Sequence, residues 1–401
     1  MPPFPPPPVP GPPAPSGSSS PLPVCVVASV DPVLRDVVTA SVLCDVPGAV
    51  VLRYDVDLGG PAGAPGLRRV VADLSGVVED VLVPLQDGCP DCAQREDVLV
   101  TVAAVAASGR WSLLVLALPV GAEPTPLVQA LAVEQDDPED PRGARAVTVR
   151  SVVAAVGAGT FAQDLLGDAL LGERALACGR DDERAVGEAL AHQLDEADLV
   201  LTDVPAGAHA QALLRHLCGP GVPVSTVEQT HGAALAAALR TAPGAGPRTD
   251  LRAARHPGVP DGDGVWTLEL TSPRALHPGR LLERIEDLGA GRLRARGVFW
   301  LPTRPDTVCA WDGAGGQLSI GDLGTWGPGE RRTRLVVTGT EPDERDRLRR
   351  AFAAVLATEA EEARCERERV ALPGDGAPED GFEPWLGSAC GDRDEADLVA
   401  D

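Results

Sequence analysis

The side chains best suited to chemistry lie in one stretch, Gln86–Leu99, QDGCPDCAQREDVL. Cys89 and Cys92 stand three apart with Pro90-Asp91 between them, and Arg95-Glu96-Asp97 precede an apolar pattern of helical spacing. Such a pair can chelate a soft metal such as zinc, cycle through a disulfide, or form an ordinary turn. Two thiolates leave a tetrahedral ion two ligands short. Asp91 could add an oxygen, and a histidine or another cysteine could come from elsewhere in the chain. Arg95 and Glu96 are accounted for equally well by an ion-pair-rich first helical turn.

The remaining reactive residues are sparse. His256, in RHP, is a candidate ligand. His277, in HPGRL, falls at a helix start and reads as a cap, and His209, His216 and His231 read as helical and solvated. The turns Arg304-Pro305-Asp306 and Ala314-Gly315-Gly316 are expected to be structural, because proline fixes φ and glycine permits positive φ. No Ser/His/Asp constellation or carboxylate pair with usable local spacing stands out. The chain has neither lysine nor asparagine, so all 35 of its basic side chains are arginine and no mechanism that needs Lys or Asn can run.

Composition narrows the classes further. A formal charge of −24 argues against a nucleic-acid surface and against anionic membranes, both of which reward basic clusters. Nine cysteines, an odd and scattered set, do not form a disulfide framework. The start, MPPFPPPPVPGPPAPSGSSSP, lacks a basic and an apolar region and is not a signal peptide. No apolar run reaches the roughly 18 residues of a membrane span. The expected location is cytoplasmic. With 44% hydrophobic but only 3% aromatic residues, the cores must be built from Val, Leu and Ala.

Stepping from these residues to the elements that hold them, residues 1–22 form a proline-rich arm. From Val24 short apolar runs alternate with amphipathic ones: strands at Val24–Ala28, Ala49–Tyr54, Val78–Pro84, Trp111–Leu118, Ala146–Val156 and Asp198–Leu201, and helices after most of them. WSLLVLAL reads as a strand buried on both faces. The pattern predicts an α/β unit, a doubly wound and mostly parallel sheet over 23–240. A linker at 241–262 follows, rich in Ala, Gly, Pro and Arg around Thr241–Arg255. A smaller α+β unit occupies 263–360, and an acidic tail, 361–401, carries one sticky island, Phe382–Leu386, expected to anchor by packing.

The second unit resembles the C-terminal domain of CobW-type proteins, P-loop GTPases associated with metal delivery. RLRARGVFWLPTRPDTVCAWDGAGGQLSI places Gly297, Trp300, Arg304, Pro305, Asp306, Trp311, Gly315 and Gly316 on that family's pattern, and LHPGRL resembles its "FHPxRL". In the first unit GCPDCAQREDVL is similar to "GCxCCxxREDLL", and VGAEPTPLVQAL to "TGxxEPxPVxxAF". The branch most resembled is the actinobacterial one described as recruiting a ribosome hibernation factor.

The resemblance implies a P-loop GTPase-like fold followed by the CobW C-terminal-like domain, and it exposes departures. The phosphate loop GxxGxGKT corresponds to Ser29–Asp36, SVDPVLRD, where no glycine remains, Pro32 deletes a donor, and Arg35 and Asp36 replace Lys and Thr. A carboxylate at Asp36 would face phosphate with like charge. The guanine motif NKxD falls on Thr202–Ala206 and cannot exist without Asn or Lys, and the acidic switch motif has become Ala117-Leu118-Pro119-Val120. GTP and magnesium are therefore not expected, Arg35 and Asp36 mark a degenerate site, and no catalytic residue is assigned. Of three family thiolates, Cys89 and Cys92 remain to bind zinc. The expected function is a binding or recruiting factor linked to zinc homeostasis or ribosome hibernation, working through a protein partner. The alternative is a divergent GTP-binding zinc metallochaperone.

Overall fold

The computed structural model describes residues 20–59, 65–84, 90–133, 147–219, 221–237, 240, 246–329, 331–371 and 379–387. Strand β1, Leu22–Ser29, is buried almost throughout and runs into helix α1, Pro32–Asp45. Then come β2 (Ala49–Asp57), β3 (Gly66–Asp73), β4 (Gly76–Pro84), α2 (Pro90–Ala107), β5 (Leu113–Ala117), α3 (Thr125–Val133) and β6 (Val147–Val156). The unit continues with α4 (Phe161–Leu166), α5 (Val186–Glu196), β7 (Leu199–Thr202), α6 (Ala208–Cys218), β8 (Val224–Thr226) and α7 (Gly232–Ala237). Among the described residues these strands form one eight-stranded sheet ordered β4-β3-β2-β5-β1-β6-β7-β8. In sheet order the pairings from β2 across to β8 are parallel, and β3 pairs antiparallel with both β2 and β4. Every residue of β5 is buried, as a central parallel strand requires. The β3 strand, GLRRVVAD, was not expected. Its two central arginines break the apolar run, yet Arg69 faces inward onto Asp97 and Glu79 and satisfies the pattern by pairing instead.

A short helix α8 (Gly246–Thr249) and a single 3-10 turn (Leu251–Ala253) precede the second unit. The described part of the stretch read as a linker is thus packed: Arg248 donates to the Asp195 and Ala197 carbonyls at the end of α5. Next come β9 (Trp266–Ser272), α9 (Pro278–Gly289), β10 (Leu293–Leu301), β11 (Arg304–Ala314), β12 (Gln317–Thr325), β13 (Thr333–Gly339) and α10 (Glu344–Val355), with α11 (Glu359–Ala371) and α12 (Glu383–Leu386) last. The sheet is antiparallel, ordered β12-β11-β10-β13-β9. One face is the apolar core: Leu268, Leu270, Leu293, Ala295, Phe299, Leu335 and Val337 pack with Leu281, Leu348 and Phe352 of α9 and α10. Strand alternation then puts Arg294, Arg296, Arg334 and Thr338 on the other face, toward the first unit.

Two expectations about this unit need correction. Arg304 plays the structural part expected of it but not in a turn: it opens β11, and its buried guanidinium pairs with Asp380 at 2.8 Å and donates to the Leu386 and Gly387 carbonyls. Of the segment read as an acidic tail, the described residues 379–387 enter the core, where Phe382 and Leu386 are buried, and the packing role expected of the Phe382–Leu386 island holds. The Gly315-Gly316 turn does adopt positive φ, +60° and +75°. It also touches the first unit so closely that a Cβ on Gly187 would lie 2.9 Å from the Gly315 Cα.

Candidate functional site

The counterpart of a phosphate loop lies between β1 and α1. In a working loop, backbone N–H groups at the helix N-terminus point at the anion. Here Asp31 is the N-cap of α1, and its Oδ1 accepts from Val33 N at 2.8 Å and Leu34 N at 3.0 Å. The donors are occupied by a carboxylate of the chain itself. Ser29 tightens the turn, accepting from Asp31 N and donating to the Ala155 carbonyl. Arg35 is 2% exposed and points inward: Nη1 donates to the Leu118 carbonyl at 3.0 Å and to the Tyr54 carbonyl at 3.2 Å, and Nη2 to Asp55 at 2.7 Å. Asp36 lies against Arg35 and Arg53. Arg35, Arg53, Asp36 and Asp55 form two cations against two anions, a self-neutralised cluster. After β7, Asp203 accepts from Ala158 N at 2.8 Å, so this carboxylate too is engaged locally.

Cys89 lies outside the described residues. Cys92, in the first turn of α2, is exposed and lines a cavity of about 470 Å³ together with Arg95, Glu123, Cys178, Asp182 and Arg184. The cavity's carboxylates are already held. Asp182 accepts from Arg184 at 2.9 Å and from Cys178 N at 2.9 Å. Burial pushes its carboxyl up, but these bonds outweigh it and hold the group below its ordinary range. Glu123 is likewise held low by His192 and Arg184 in spite of burial. Among the described residues no three His, Cys, Asp or Glu side chains are gathered so as to hold a metal. The structure thus brings Cys92 and Cys178 to one cavity without a complete ligand set. Arg95 and Glu96 are exposed, whereas their neighbour Asp97 accepts from the Tyr54 hydroxyl at 2.7 Å and from Arg69 at 2.6 Å.

The densest charged cluster is at the seam between the two units. His192 of α5 stands 3.0 Å from Glu123 and 3.1 Å from Asp312 of β11. Burial would push the imidazole down, but the two carboxylates outweigh it and raise it to about 10. Fully buried Arg294 bridges Asp195 of α5, at 2.9 Å, to Asp312. Arg296 takes the other Asp195 oxygen at 2.7 Å. Sequence reading passed over His192 and Asp195, which look like ordinary polar residues of an amphipathic helix. The available signal was RLRAR, where arginines at every second position give one strand face to cations.

The other histidines sort as follows. His277 caps α9, accepting from Arg280 N. His209 is exposed and donates to the Asp263 carbonyl, and His231 is exposed before α7. His216 corrects its expectation: it is helical but buried, with its ring against Thr267 of β9 at 2.8 Å. His256 lies in the seam, its Nδ1 accepting from Gly258 N.

Comparison with known proteins adds a second line. Residues 265–356 match the cobalamin synthesis protein cobW C-terminal domain. The chain is 30% identical over 315 residues to the protein named Zinc chaperone Rv0106 of Mycobacterium tuberculosis, which covers 76% of this chain and 74% of the relative. It is 23% identical over 268 residues to Zinc-regulated GTPase metalloprotein activator 1 of Dictyostelium discoideum, covering 62% of this chain and 55% of that protein. The crystal structure of the Zn(II)-bound YjiA GTPase from E. coli aligns with 84% of this chain and 99% of its own at 15% identity and a TM-score of 0.32. Among the described residues, no helix is long and apolar enough to cross a membrane.

Proposed function

The chain belongs to the CobW family of P-loop GTPases, and on that premise we propose that it is a zinc-linked binding or recruiting factor whose nucleotide site no longer takes GTP. The observation that carries this reading is the occupation of the phosphate loop by the protein's own charges. Asp31 takes the first-turn amides of α1, and Arg35 spends its guanidinium on the Tyr54 and Leu118 carbonyls and on Asp55. A triphosphate would have to displace one carboxylate and settle beside another, Asp36, at a cost of several kcal/mol once water is excluded. The residues present do not fit GTP with magnesium.

Zinc enters as cargo, because two relatives are named for it. The described residues alone do not fit a tetrahedral zinc, since Cys92 has no complete set beside it and the cavity's carboxylates are held by Arg184 and His192. Cys92, exposed in the first turn of α2, would offer with Cys89 of the same motif the thiolates of a zinc site to which a partner protein adds ligands. A formal charge of −24 supports a protein partner over direct contact with RNA, the ribosome hibernation factor of the resembled branch being one such client.

One calorimeter tests both halves. Titrating GTP with Mg²⁺ into the full chain should give no binding in the micromolar range, and micromolar affinity would replace this reading with that of a divergent GTP-binding metallochaperone. Zinc titrated into the wild type should bind more weakly than a closed four-ligand site, and Cys89→Ser/Cys92→Ser should abolish that heat. Equal stoichiometry in both proteins removes these cysteines from the site.

A further inference from the structure

The seam encloses a second cavity, about 270 Å³, between α5, α6, the turn around Arg255 and the polar face of β10 and β13. Its walls carry Arg248, Arg255, Arg294 and Arg296, and among its described lining residues Asp195 is the single carboxylate. We propose that this cavity binds a small phosphate-type oxyanion, an inorganic phosphate or diphosphate or the phosphoryl end of an ester, held between the two units by arginine.

Cations outnumber their partners around this cavity. Arg294 and Arg296 share Asp195, and Arg294 also meets Asp312. Among the described residues no carboxylate pairs with Arg248: it donates to the Asp195 and Ala197 carbonyls, a cation placed favourably at the C-terminus of α5. Arg255 is exposed and makes one long contact, 3.5 Å to the Ala253 carbonyl. Four guanidiniums therefore face two carboxylates in a protein whose formal charge is −24. Elsewhere the chain pairs its arginines closely, as the cluster of Arg35, Arg53, Asp36 and Asp55 shows.

Arg334 points from β13 on the same sheet face, and burial first, then Arg332 and Arg255, hold its guanidinium below the ordinary range although Glu269 stands 3.2 Å away. His216 is pushed down by burial, with His256 and Arg215 adding to it against Asp261 and the Pro260 carbonyl. A cleft with one sign of charge and low-dielectric walls concentrates the opposite ion. Guanidinium forks match phosphate oxygens in pairs, which makes the phosphoryl group the fitting oxyanion. This inference is independent of the state of the phosphate loop, because the cavity shares no residue with it.

Titration of pyrophosphate, inorganic phosphate and glycerol 3-phosphate into the full chain, at constant ionic strength, tests the site. Pyrophosphate should bind and raise the thermal midpoint, and its affinity should fall at least about 10-fold in Arg255→Glu. Arg255 is the variant of choice because its side chain is exposed and holds nothing else in place. His256→Ala is the second variant, and Arg369→Glu, on the exposed face of α11, should leave affinity unchanged. A response to glycerol 3-phosphate but not to inorganic phosphate would assign the site to an ester within the same proposal. Equal pyrophosphate affinity in wild type and Arg255→Glu, or a wild type that responds no more to pyrophosphate than to chloride, overturns it. GTP heat that disappears in Arg255→Glu belongs to this cavity, and GTP heat that persists belongs to the loop.

Discussion

The turn between β1 and α1 and the seam beneath β10 make opposite uses of the same residues. At the turn, Arg35 and Arg53 are matched by Asp36 and Asp55, and Asp31 fills the amides of α1, so a region built to receive an anion has supplied its own. At the seam, arginines gather from three elements around Asp195 and Asp312 and outnumber them. A charged cluster closes when its partners are near in sequence or on adjacent strands. It stays open when one sheet and the turn before it bring the cations and the facing unit answers with a single lining carboxylate.

Removing one cation from each region should separate them most sharply. Arg294→Met leaves Asp195 and Asp312 buried without their shared partner, and loss of one member of such a buried network costs about 3–5 kcal/mol. Arg35→Met orphans two carbonyls, at about 1–3 kcal/mol each, but Arg294→Met also orphans two, those of Ala295 and Gly313, in addition to its buried carboxylates, whereas Asp36 and Asp55 keep contact with water and with Arg53. Urea unfolding of both variants should show the larger loss for Arg294→Met, with the first and second units separating into two transitions. The reverse order would mean that the turn, and not the seam, holds the molecule together.

A smaller effect is read through pH. In the unfolded chain His192 has the ordinary imidazole range, about 6.5. In the folded protein the Glu123 and Asp312 carboxylates raise it to about 10 against the opposing effect of burial. A raised folded value gives stability that is fully present below about pH 6.5 and is lost as pH rises through about 10. The gap between wild type and His192→Gln should therefore be of the order of 2 kcal/mol near neutrality, below the full linkage value because 24% of the side chain reaches solvent, and should shrink toward zero by pH 10. Taking the difference between the two proteins cancels the titration of thiols common to both. A gap that widens with pH would place the proton elsewhere.

How much of this could be read in the sequence follows from how local each cause is. The parallel core strand at Leu113–Ala117 declares itself by an unbroken apolar run, and the cap at His277 by its place before Pro278. The loss of the family loop's glycines was legible too, because Ser29–Asp36 has none. What replaces them was not. That Asp31 would fold back onto Val33 and Leu34, and that Arg35 would turn into the sheet toward Leu118, are distances across the fold. His216 was misjudged because helical spacing gives a face but not what covers it, and here β9 covers it. That Arg304 is structural was legible, but its partner was not, because Asp380 is 76 residues away in a stretch that composition marks as solvated.

The finest test of the contrast is at Asp31 itself. Two features block the loop, the carboxylate on its amides and the diversion of Arg35, and a single substitution separates them. Asp31→Ala removes the N-cap of α1 at a cost of about 1 kcal/mol, whereas Asp31→Gly, which suits the N-cap backbone, costs only a few tenths, so the glycine variant frees Val33 N and Leu34 N with the helix intact. If the plug were the only obstacle, GTP with Mg²⁺ would now bind in the micromolar range. Arg35 still holds the Tyr54 and Leu118 carbonyls, and Asp36 still sits where the metal-binding hydroxyl would be, so the expected titration remains flat. A flat curve for Asp31→Gly places the closure in Arg35 and Asp36 together, beyond the cap. A micromolar curve would reduce the whole difference between the two regions to one carboxylate.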